Sequence, residues 1–406
     1  MRHPLRAFVG LTAALFLCTG CVAQPADPLP QSSLPAAADP MAYREQFEQS
    51  WCYRYLEERL RTDYGALYTA LTERNDQEEE IELETDGQTQ KQAGLRVALP
   101  CALSSKEEAQ RLYDAFFHDN PQFFYISSVF SLEGYRVGEE TRYTHIDLLY
   151  TMDASSRAAA AAELETTVQA WLAEAPHDTD QFAAELYLHD RLATHCTYHT
   201  PAAQTGYSAY PNAYTAYGAL VEGQAVCEGY SRAMQLLLRR AGMDCTLVTG
   251  ASAYNGEAHM WNMVTVNGHN YHLDVTWDGS EQRLRHNYFN MTTAQLLLSH
   301  TVDEGQAGID TCASTQDDYF VRTGMALDTY SRQTIAQAIA ERIKAGNETA
   351  ELRLAPDKFD SALLFLKNEM LTRQMVNAYL VDSGQVMQNY VLLGEPQEYI
   401  LALYKK

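Results

Sequence analysis

The sequence predicts an α+β fold in which a cysteine-bearing helix packs on a small antiparallel sheet. An apolar pattern at helical spacing follows Cys227. Farther along, two alternating runs are separated by Asn267-Gly268, the dipeptide that best supports a two-residue hairpin turn. Mixed groups of helical and strand-like patterns lie on both sides of this region. We therefore expect a central core flanked by small N- and C-terminal α+β domains.

The chain is long enough for several domains. Its 406 residues are 46% hydrophobic, which is typical of folded domains rather than of disordered chains. Shifts in composition and pattern predict five segments. They are a signal peptide at residues 1–20, a flexible tether at 21–40, an N-terminal α+β domain at 41–155, a central domain at 156–315 and a C-terminal α+β domain at 316–406.

The first segment has the features of an export signal. Arg2 and Arg6 precede an apolar run at residues 7–18, which is too short to span a bilayer as a stable helix. The run ends in LCTGC, which resembles the lipobox of bacterial lipoproteins. That resemblance implies a lipid on Cys21 and attachment to the extracytoplasmic face of the cell membrane. Cleavage of an ordinary signal peptide near Ala23 is the alternative.

Composition also constrains the partners. The residues that follow Cys21 are rich in Pro, Ala and Ser, which predicts a flexible tether. The formal net charge is -23. Nucleic acid is excluded as a partner because phosphate backbones are bound through clustered Lys and Arg. Anionic headgroups are repelled as well, so a lipid rather than a basic patch would hold the protein at the membrane.

The cysteines beyond the signal region predict neither a metal site nor a disulfide scaffold. They lie too far apart for metal-binding spacing and are too sparse for a disulfide-rich fold, and their pairing stays open. They are Cys52, Cys101, Cys196, Cys227, Cys245 and Cys312.

Local patterns predict the elements of the flanking domains. Ser105 to Glu108 resembles a capping box, which begins a helix that ends near Phe117. A strand, helix, strand, helix and hairpin are expected in that order from about Tyr319 to the end. The other expected elements are a helix from Met41 to about Arg74, strands at Glu80–Leu83, Leu95–Leu99, Val129–Val137 and Tyr143–Met152, and helices from Asp153 to about Thr197 with a break at 175–177.

Cys227 is predicted at the start of its helix. Met234, Leu237 and Leu238 recur at helical spacing, and Gly242 stands where a helix-terminating glycine belongs. The free N–H groups and the positive end of the helix dipole favour a thiolate there and can donate to an oxyanion. A small buried residue or half of a disulfide is the ordinary explanation of the cysteine alone.

The Asn-Gly hairpin adds a base and a carboxylate. A two-residue loop pairs Val266 with His269 and, counting back, Trp261 with Asp274 and His259 with Thr276. His259 and Asp274 then share a face, about 7 Å apart diagonally. We expect this polar face to meet the helix of Cys227, which gives a nucleophile, a general base and an orienting carboxylate. The opposite, apolar face comprises Met260, Val264, Val266, Tyr271, Leu273, Val275 and Trp277.

Two other interpretations use the same residues. A zinc site would need His259, His269, His272, Asp274 and a cysteine, but His269 and His272 point to opposite faces of one strand. We therefore expect no metal, and no other cofactor. His272 shares the polar face and is an alternative base, although it lacks an acidic partner placed as Asp274 is for His259.

Four segments together resemble the transglutaminase-like superfamily, which has a papain-related fold. They are YTAYGAL from Tyr214, VCEGYSRAMQLLLRRAGM, HMWNMV and YHLDVTWD, and the resemblance spans about residues 180–291. It implies a papain-like, transglutaminase-like core in which Cys227 is the nucleophile, His259 the base and Asp274 the third member of the triad.

The resemblance marks further residues and leaves the reaction open. Trp261, Asn262 and Trp277 match motif positions that support the fold or contact substrate. Gln224, Tyr214 and Tyr217 are candidates for a second oxyanion donor. We expect thioester-mediated acyl transfer on peptide, protein or peptidoglycan amides, with hydrolysis favoured. A protein-crosslinking transglutaminase and a non-catalytic lipoprotein that binds wall peptides are the alternatives.

Overall fold

A computed structural model describes residues 17–18, 39–85, 88–137, 139–177, 180–279, 284–327, 329 and 331–405. The predicted signal peptide, apart from Leu17–Cys18, lies outside these residues, as do Cys21 and the tether up to residue 38. Within the described ranges, none of the helices has the length and apolar character needed to cross a membrane. The structure mixes helices with mainly antiparallel sheets, so the α+β prediction is confirmed.

The N-terminal region is a five-stranded sheet covered by helices. Its strand order is β1-β4-β5-β3-β2, and all pairs are antiparallel except β1 with β4. Ser105 accepts a hydrogen bond from the backbone N–H of Glu108, as predicted for the start of α3. The elements are β1 (Leu17–Cys18), α1 (Arg44–Phe47), α2 (Glu58–Glu73), β2 (Glu79–Thr85), β3 (Gln88–Leu103), α3 (Lys106–Asp119), β4 (Ile126–Val137) and β5 (Glu140–Tyr150).

The predicted continuous helix from Met41 to Arg74 is wrong. The structure separates α1 from α2 and places a short 3-10 turn at Cys52–Tyr55 between them. The buried carboxylate of Asp119 accepts hydrogen bonds from the backbone N–H groups of Cys52 and Tyr53, at 3.0 and 2.9 Å. These bonds satisfy the segment without a continuous helix.

The central region carries a four-stranded antiparallel sheet in the order β10-β9-β8-β11, with α7 packed against β9. The predicted break between two helices falls between α4 and α5. The elements are α4 (Ala154–Glu174), α5 (Gln181–His195), β6 (Thr197–Tyr198), α6 (Thr200–Thr205), β7 (Gln224–Ala225), α7 (Cys227–Arg240), β8 (Cys245–Ser252), β9 (Ala258–Val266), β10 (His269–Leu273), α8 (Val275–Asp278), α9 (Thr293–Leu296) and β11 (His300–Val302).

The hairpin of β9 and β10 follows the predicted turn but not the full predicted pairing. Asn267 and Gly268 both have positive φ, 49° and 84°, as a type I′ turn requires. His269 pairs with Val266 as expected, and the ladder ends where Leu273 pairs with Asn262. The predicted pairs of Trp261 with Asp274 and of His259 with Thr276 therefore do not form, because the chain turns into α8.

The helix that begins at Cys227 packs on the opposite face of β9 from the one predicted. Ser231 of α7 donates to the backbone carbonyl of Met260, and the Asn262 amide donates to the carbonyl of Ser231. The apolar side of α7 meets the apolar face of the hairpin, which hides more apolar surface than the polar face would. His259 and Trp261 point away from the body of the helix.

The C-terminal region is a second small α+β unit. Its sheet has the order β12-β13-β15-β14, and β14 and β15 form the predicted hairpin. Ser331 accepts a hydrogen bond from the N–H of Thr334 and begins α11, as expected of a capping residue. The elements are α10 (Tyr319–Arg322), β12 (Ala326–Leu327), α11 (Arg332–Lys344), β13 (Thr349–Leu354), α12 (Phe359–Lys367), α13 (Glu369–Ala378), β14 (Tyr390–Glu395) and β15 (Ile400–Lys405).

Candidate active site

Cys227 is the first residue of α7, and its side chain lies against Leu247 and Met260. Only 7% of the residue is exposed, so the thiol sits in a mainly apolar environment. Val226, which precedes the helix, provides no side-chain cap for the first N–H groups. Those groups are therefore available to a negatively charged oxygen that forms beside the sulfur.

Gly229 allows the start of α7 to lie against the preceding segment. A Cβ atom at this position would be 2.6 Å from the carbonyl oxygen of Ala213 and 2.8 Å from the Cβ of Ala225. The N–H of Val226 donates to the same Ala213 carbonyl at 2.9 Å. The close approach needs a residue without a side chain and fixes where the helix begins.

His259 and Asp274 form a buried pair. Nε2 of His259 lies 2.7 Å from Oδ2 of Asp274, and the two residues are 6% and 1% exposed. The other oxygen of Asp274 accepts hydrogen bonds from the N–H groups of Thr276 and Trp277, at 3.0 and 3.3 Å. Asp274 thus caps the start of α8 with one oxygen and bonds to His259 with the other.

The electrostatics of the pair favour a protonated imidazole. Burial lowers the pKa of His259, but the charge and hydrogen bond of Asp274, followed by the hydrogen bond and charge of Cys227, raise it to about 10. Burial raises the pKa of Asp274, yet His259 and then His300 hold it well below its usual range. Because Nε2 of His259 bonds to Asp274, Nδ1 is the ring nitrogen that can bond to the Cys227 thiol.

The His259 and Asp274 contact survives although the predicted strand register does not. The prediction used a diagonal contact between two strands, whereas the observed contact joins the start of β9 to the start of α8. Cys227 and His259 meet because each lies at the beginning of its element, at the same end of the α7 and β9 packing.

An aromatic wall covers the pair. The indole of Trp277 stacks on His259 with ring centroids 5.0 Å apart and an angle of 25°. Tyr254, about half exposed, stacks on the outer side of Trp277 at 6.0 Å. Trp277 therefore lies on the side of His259 and not on the opposite apolar face where strand alternation predicted it, because α8 has replaced the strand.

The other predicted residues lie around the site in supporting positions. Trp261 is fully buried and donates to Nδ1 of His272, while the Asn262 amide ties α7 and β8 to β9. The Tyr217 hydroxyl donates to Glu163 of α4, and the Tyr217 ring stacks on Phe124. The hydroxyl is therefore directed away from the thiol.

The remaining oxyanion candidates differ in their partners. The Tyr214 hydroxyl donates to the carbonyl of Ala202. Gln224 is exposed in β7, three residues before Cys227. His272, the alternative base, bonds to Trp261 and to Thr293, neither of which is a carboxylate, and burial lowers its pKa to about 4.

Sequence reasoning missed two residues beside the pair. His300, the first residue of β11, places Nε2 3.2 Å from Oδ2 of Asp274. Tyr198 of β6 pairs with Ala225 directly before the helix, and the charge of Cys227 contributes to raising the pKa of Tyr198 after burial. His300 belongs to no local motif, so only the fold brings it to the site.

Two groups of side chains have donor sets that a metal could use. The ligand atoms of His259, Asp274 and His300 lie within 4.8 Å of one another, as do those of His189, Asp190 and His286. In both groups, hydrogen bonds of 2.7–3.2 Å link the imidazoles to the aspartate. Protein contacts alone therefore satisfy these atoms.

Comparison with protein families places the site within a transglutaminase-like domain. Residues 169–275 match the model of the transglutaminase-like superfamily, which confirms the predicted resemblance. The match includes Cys227, His259 and Asp274. Comparison with curated proteins gave no match.

Three solved structures are distantly similar. A transglutaminase is 15% identical, with 45% of this chain and 51% of that chain covered and a TM-score of 0.27. A candidate cysteine protease of Cytophaga hutchinsonii is 13% identical over 34% of this chain and 52% of its own, with a TM-score of 0.23. A candidate protease of Parabacteroides distasonis is 13% identical over 49% and 36%, with a TM-score of 0.20. The alignments span about half or less of those chains.

Proposed function

We propose that this protein is an acyl-transfer enzyme that forms a thioester on Cys227 and hydrolyses peptide or isopeptide amides. The observation that carries the proposal is the buried pair of His259 and Asp274, 2.7 Å apart, with the second imidazole nitrogen left for the thiol at the start of α7. Nucleophile, base and orienting carboxylate in this arrangement are the parts that covalent catalysis requires.

In the acylation step, the sulfur of Cys227 attacks the carbonyl carbon of the amide and a C–S bond forms. The carbonyl oxygen becomes an oxyanion, and the free N–H groups at the start of α7 donate to it. The imidazolium of His259 gives its proton to the departing nitrogen, the C–N bond breaks, and a thioester and a free amine result. Asp274 stabilises the imidazolium before the transfer and orients the ring throughout.

In the deacylation step, water attacks the thioester carbonyl while His259 accepts its proton. The C–S bond breaks, a carboxylic acid leaves, and the sulfur returns to its starting state. A primary amine in place of water would give a new amide by the same route, so the acceptor alone separates hydrolysis from crosslinking. Water is the acceptor that we propose.

A thiol-directed acyl probe tests the nucleophile. We expect the wild-type protein to be labelled at Cys227 and Cys227→Ser to be unlabelled, with amide turnover lost in Cys227→Ser and His259→Ala. Cys101→Ser is the matched control, because Cys101 is a partly exposed free thiol in β3. Full amide turnover in Cys227→Ser, His259→Ala and Asp274→Ala would refute the proposal.

The acceptor is tested separately. Incubation with a labelled primary amine and a glutamine-containing protein separates the two reactions, because new amino termini report hydrolysis and incorporated label reports crosslinking. Unreactive Cys227 together with measurable affinity for peptidoglycan fragments would instead favour a binding protein.

We also propose that Cys21 carries a lipid that holds the protein on the outer face of the cell membrane. The support is the LCTGC sequence after a basic start and an apolar run. Cells fed a labelled fatty acid should label the wild-type chain and not Cys21→Ala, and the variant should leave the membrane fraction. Equal labelling of both chains would exclude lipidation at this residue.

A further inference from the structure

His300 contacts the site through Asp274. It is fully buried at the start of β11, where it pairs with Ser252 of β8. Nε2 of His300 lies 3.2 Å from Oδ2 of Asp274, the same oxygen that lies 2.7 Å from Nε2 of His259. One carboxylate oxygen therefore serves two imidazoles from different strands.

The hydrogen bonds around this carboxylate account for all of its principal acceptor positions. Oδ1 accepts two bonds from the backbone at the start of α8, and Oδ2 accepts one from each imidazole. Ser299 Oγ lies 2.8 Å from Nδ1 of His300. The same hydroxyl donates to the carbonyl of Leu296 at 3.3 Å, so Ser299 holds the Nδ1 side of the ring while Oδ2 of Asp274 accepts from Nε2 of His300.

The ring of His300 is held in place by aromatic neighbours. Its centroid is 4.2 Å from that of Trp277 and 4.9 Å from that of Trp261, and Trp277 also stacks on His259. The centroids of His300 and His259 are 5.5 Å apart. His300 is thus enclosed by aromatic rings and shielded from solvent. Its polar contact with the catalytic pair is the hydrogen bond to Asp274.

We infer that His300 is a positioning residue for the proposed reaction. Two donors that reach Oδ2 from different strands fix the plane of the Asp274 carboxylate, and this plane aims Oδ2 at the N–H of His259. A ring that served only to fill space would need neither the bond to Asp274 nor the Ser299 hydroxyl on its other nitrogen. The inference rests on the proposed function, because it assumes that His259 acts on Cys227.

The test compares two substitutions that fill similar space. Gln at position 300 keeps an N–H donor near the position of Nε2, whereas Leu keeps the volume without a donor. The readout is the rate of iodoacetamide alkylation of Cys227 in the full chain, with kcat and KM for amide turnover beside it. We expect His300→Leu to lower the alkylation rate and kcat about tenfold with KM unchanged, the size expected for one lost charge-assisted hydrogen bond.

His300→Gln should stay within about twofold of wild type, which corresponds to about 0.4 kcal/mol. Ser299→Ala, which removes one atom, should lower the rate in the same direction by less, and it tests the inference even if His300→Leu fails to fold. Equal rates in wild type, His300→Leu and Ser299→Ala would overturn it, as would equal losses in the Leu and Gln variants.

The same experiment separates the two levels of the proposal. If His259→Ala leaves the alkylation of Cys227 unchanged, the proposed function fails and the role of His300 fails with it. If His259→Ala slows alkylation while His300→Leu does not, only the role of His300 is overturned.

Discussion

Nε2 of His259 lies 2.7 Å from Oδ2 of Asp274, a residue that begins α8 rather than continuing the strand beside His259. The second oxygen of Asp274 accepts the N–H groups of Thr276 and Trp277. One carboxylate therefore starts a helix with one oxygen and contacts the imidazole with the other. Because the two tasks use different atoms, substitution can separate them.

Asp274→Asn should keep the helix start and lose the charge. The amide oxygen can still accept the backbone N–H groups, but the pKa of His259 falls from about 10 to about 6.5 or less, since burial alone lowers it. The imidazolium then disappears near neutral pH instead of near pH 10. We expect amide turnover to fall about 100-fold. The pH dependence of Cys227 alkylation measures the shift.

Asp274→Ala is the matched variant. It removes both tasks, so it should also lose about 1 kcal/mol of stability from the missing cap. A wild-type pH profile in Asp274→Asn would contradict the assigned role of the carboxylate.

The indole face of Trp277 should contribute to both catalysis and stability. It stacks on His259 and on His300, with centroids 5.0 and 4.2 Å away. Trp277→Ala should free both rings and lower kcat about tenfold, with a loss of stability of about 1–3 kcal/mol for two aromatic pairs. Trp277→Phe keeps an aromatic ring and should retain most of the kcat and most of the stability. Kinetics and chemical denaturation measure the two effects. A fully active Trp277→Ala variant would show that the aromatic wall has no role in catalysis.

The turn at Asn267-Gly268 was predictable because two adjacent residues decide it. A type I′ turn needs positive φ at both positions, and Asn followed by Gly meets that need without help from the rest of the fold. The extent of α7 was predictable for a similar reason, since the apolar spacing after Cys227 and a glycine at position 242, where φ is positive, are local signals.

The departure of Asp274 from the strand was not predictable from alternation. Asp-Val-Thr-Trp continues an alternating pattern, and the choice between ladder and helix start depends on nonlocal contacts such as the N–H of Asp274 bonding to the carbonyl of Tyr288. His300 gave no signal, because it lies 26 residues after Asp274 and reaches it through the pairing of β11 with β8.

Gly229→Ala should displace Cys227. The new Cβ would lie 2.6 Å from the Ala213 carbonyl, so the start of α7 must shift, at a cost of about 1–3 kcal/mol. We expect slower acyl-probe labelling of Cys227 and a lower melting temperature. Gly242→Ala is the control, since its positive φ makes the substitution strained while nothing lies within 4 Å of the new Cβ. It should cost stability and leave labelling unchanged; equal labelling in both variants would contradict the argument.

A chain of alternating acids and histidines, buried except at Asp190, joins α8 to the C-terminal sheet. Asp278 lies 3.2 Å from His189, and Asp190 lies 2.9 Å from both His189 and His286. Nδ1 of His286 lies 2.6 Å from Glu351 of β13. The short helix that Asp274 begins is thus linked, through its last residue, to an element more than seventy residues later.

The pH dependence of stability should report this chain. Burial lowers the pKa of His286, but Glu351 and Asp190 raise it to about 10. A raised folded-state pKa gives stability that is complete below the unfolded value of about 6.5 and is lost as the pH rises through about 10. The free energy of unfolding should therefore fall from pH 7 to pH 10.

Glu351→Gln tests this origin of the slope. Because it breaks a buried pair, it should cost about 3 kcal/mol at pH 6. It should also reduce the slope of stability against pH, leaving the part due to His259. Glu348→Gln, whose exposed carboxylate pairs with Lys405, should leave the stability nearly unchanged and keep the slope. Urea denaturation at pH 6 and pH 9 measures both, and an unchanged slope in Glu351→Gln would show that His286 is not held protonated by this contact.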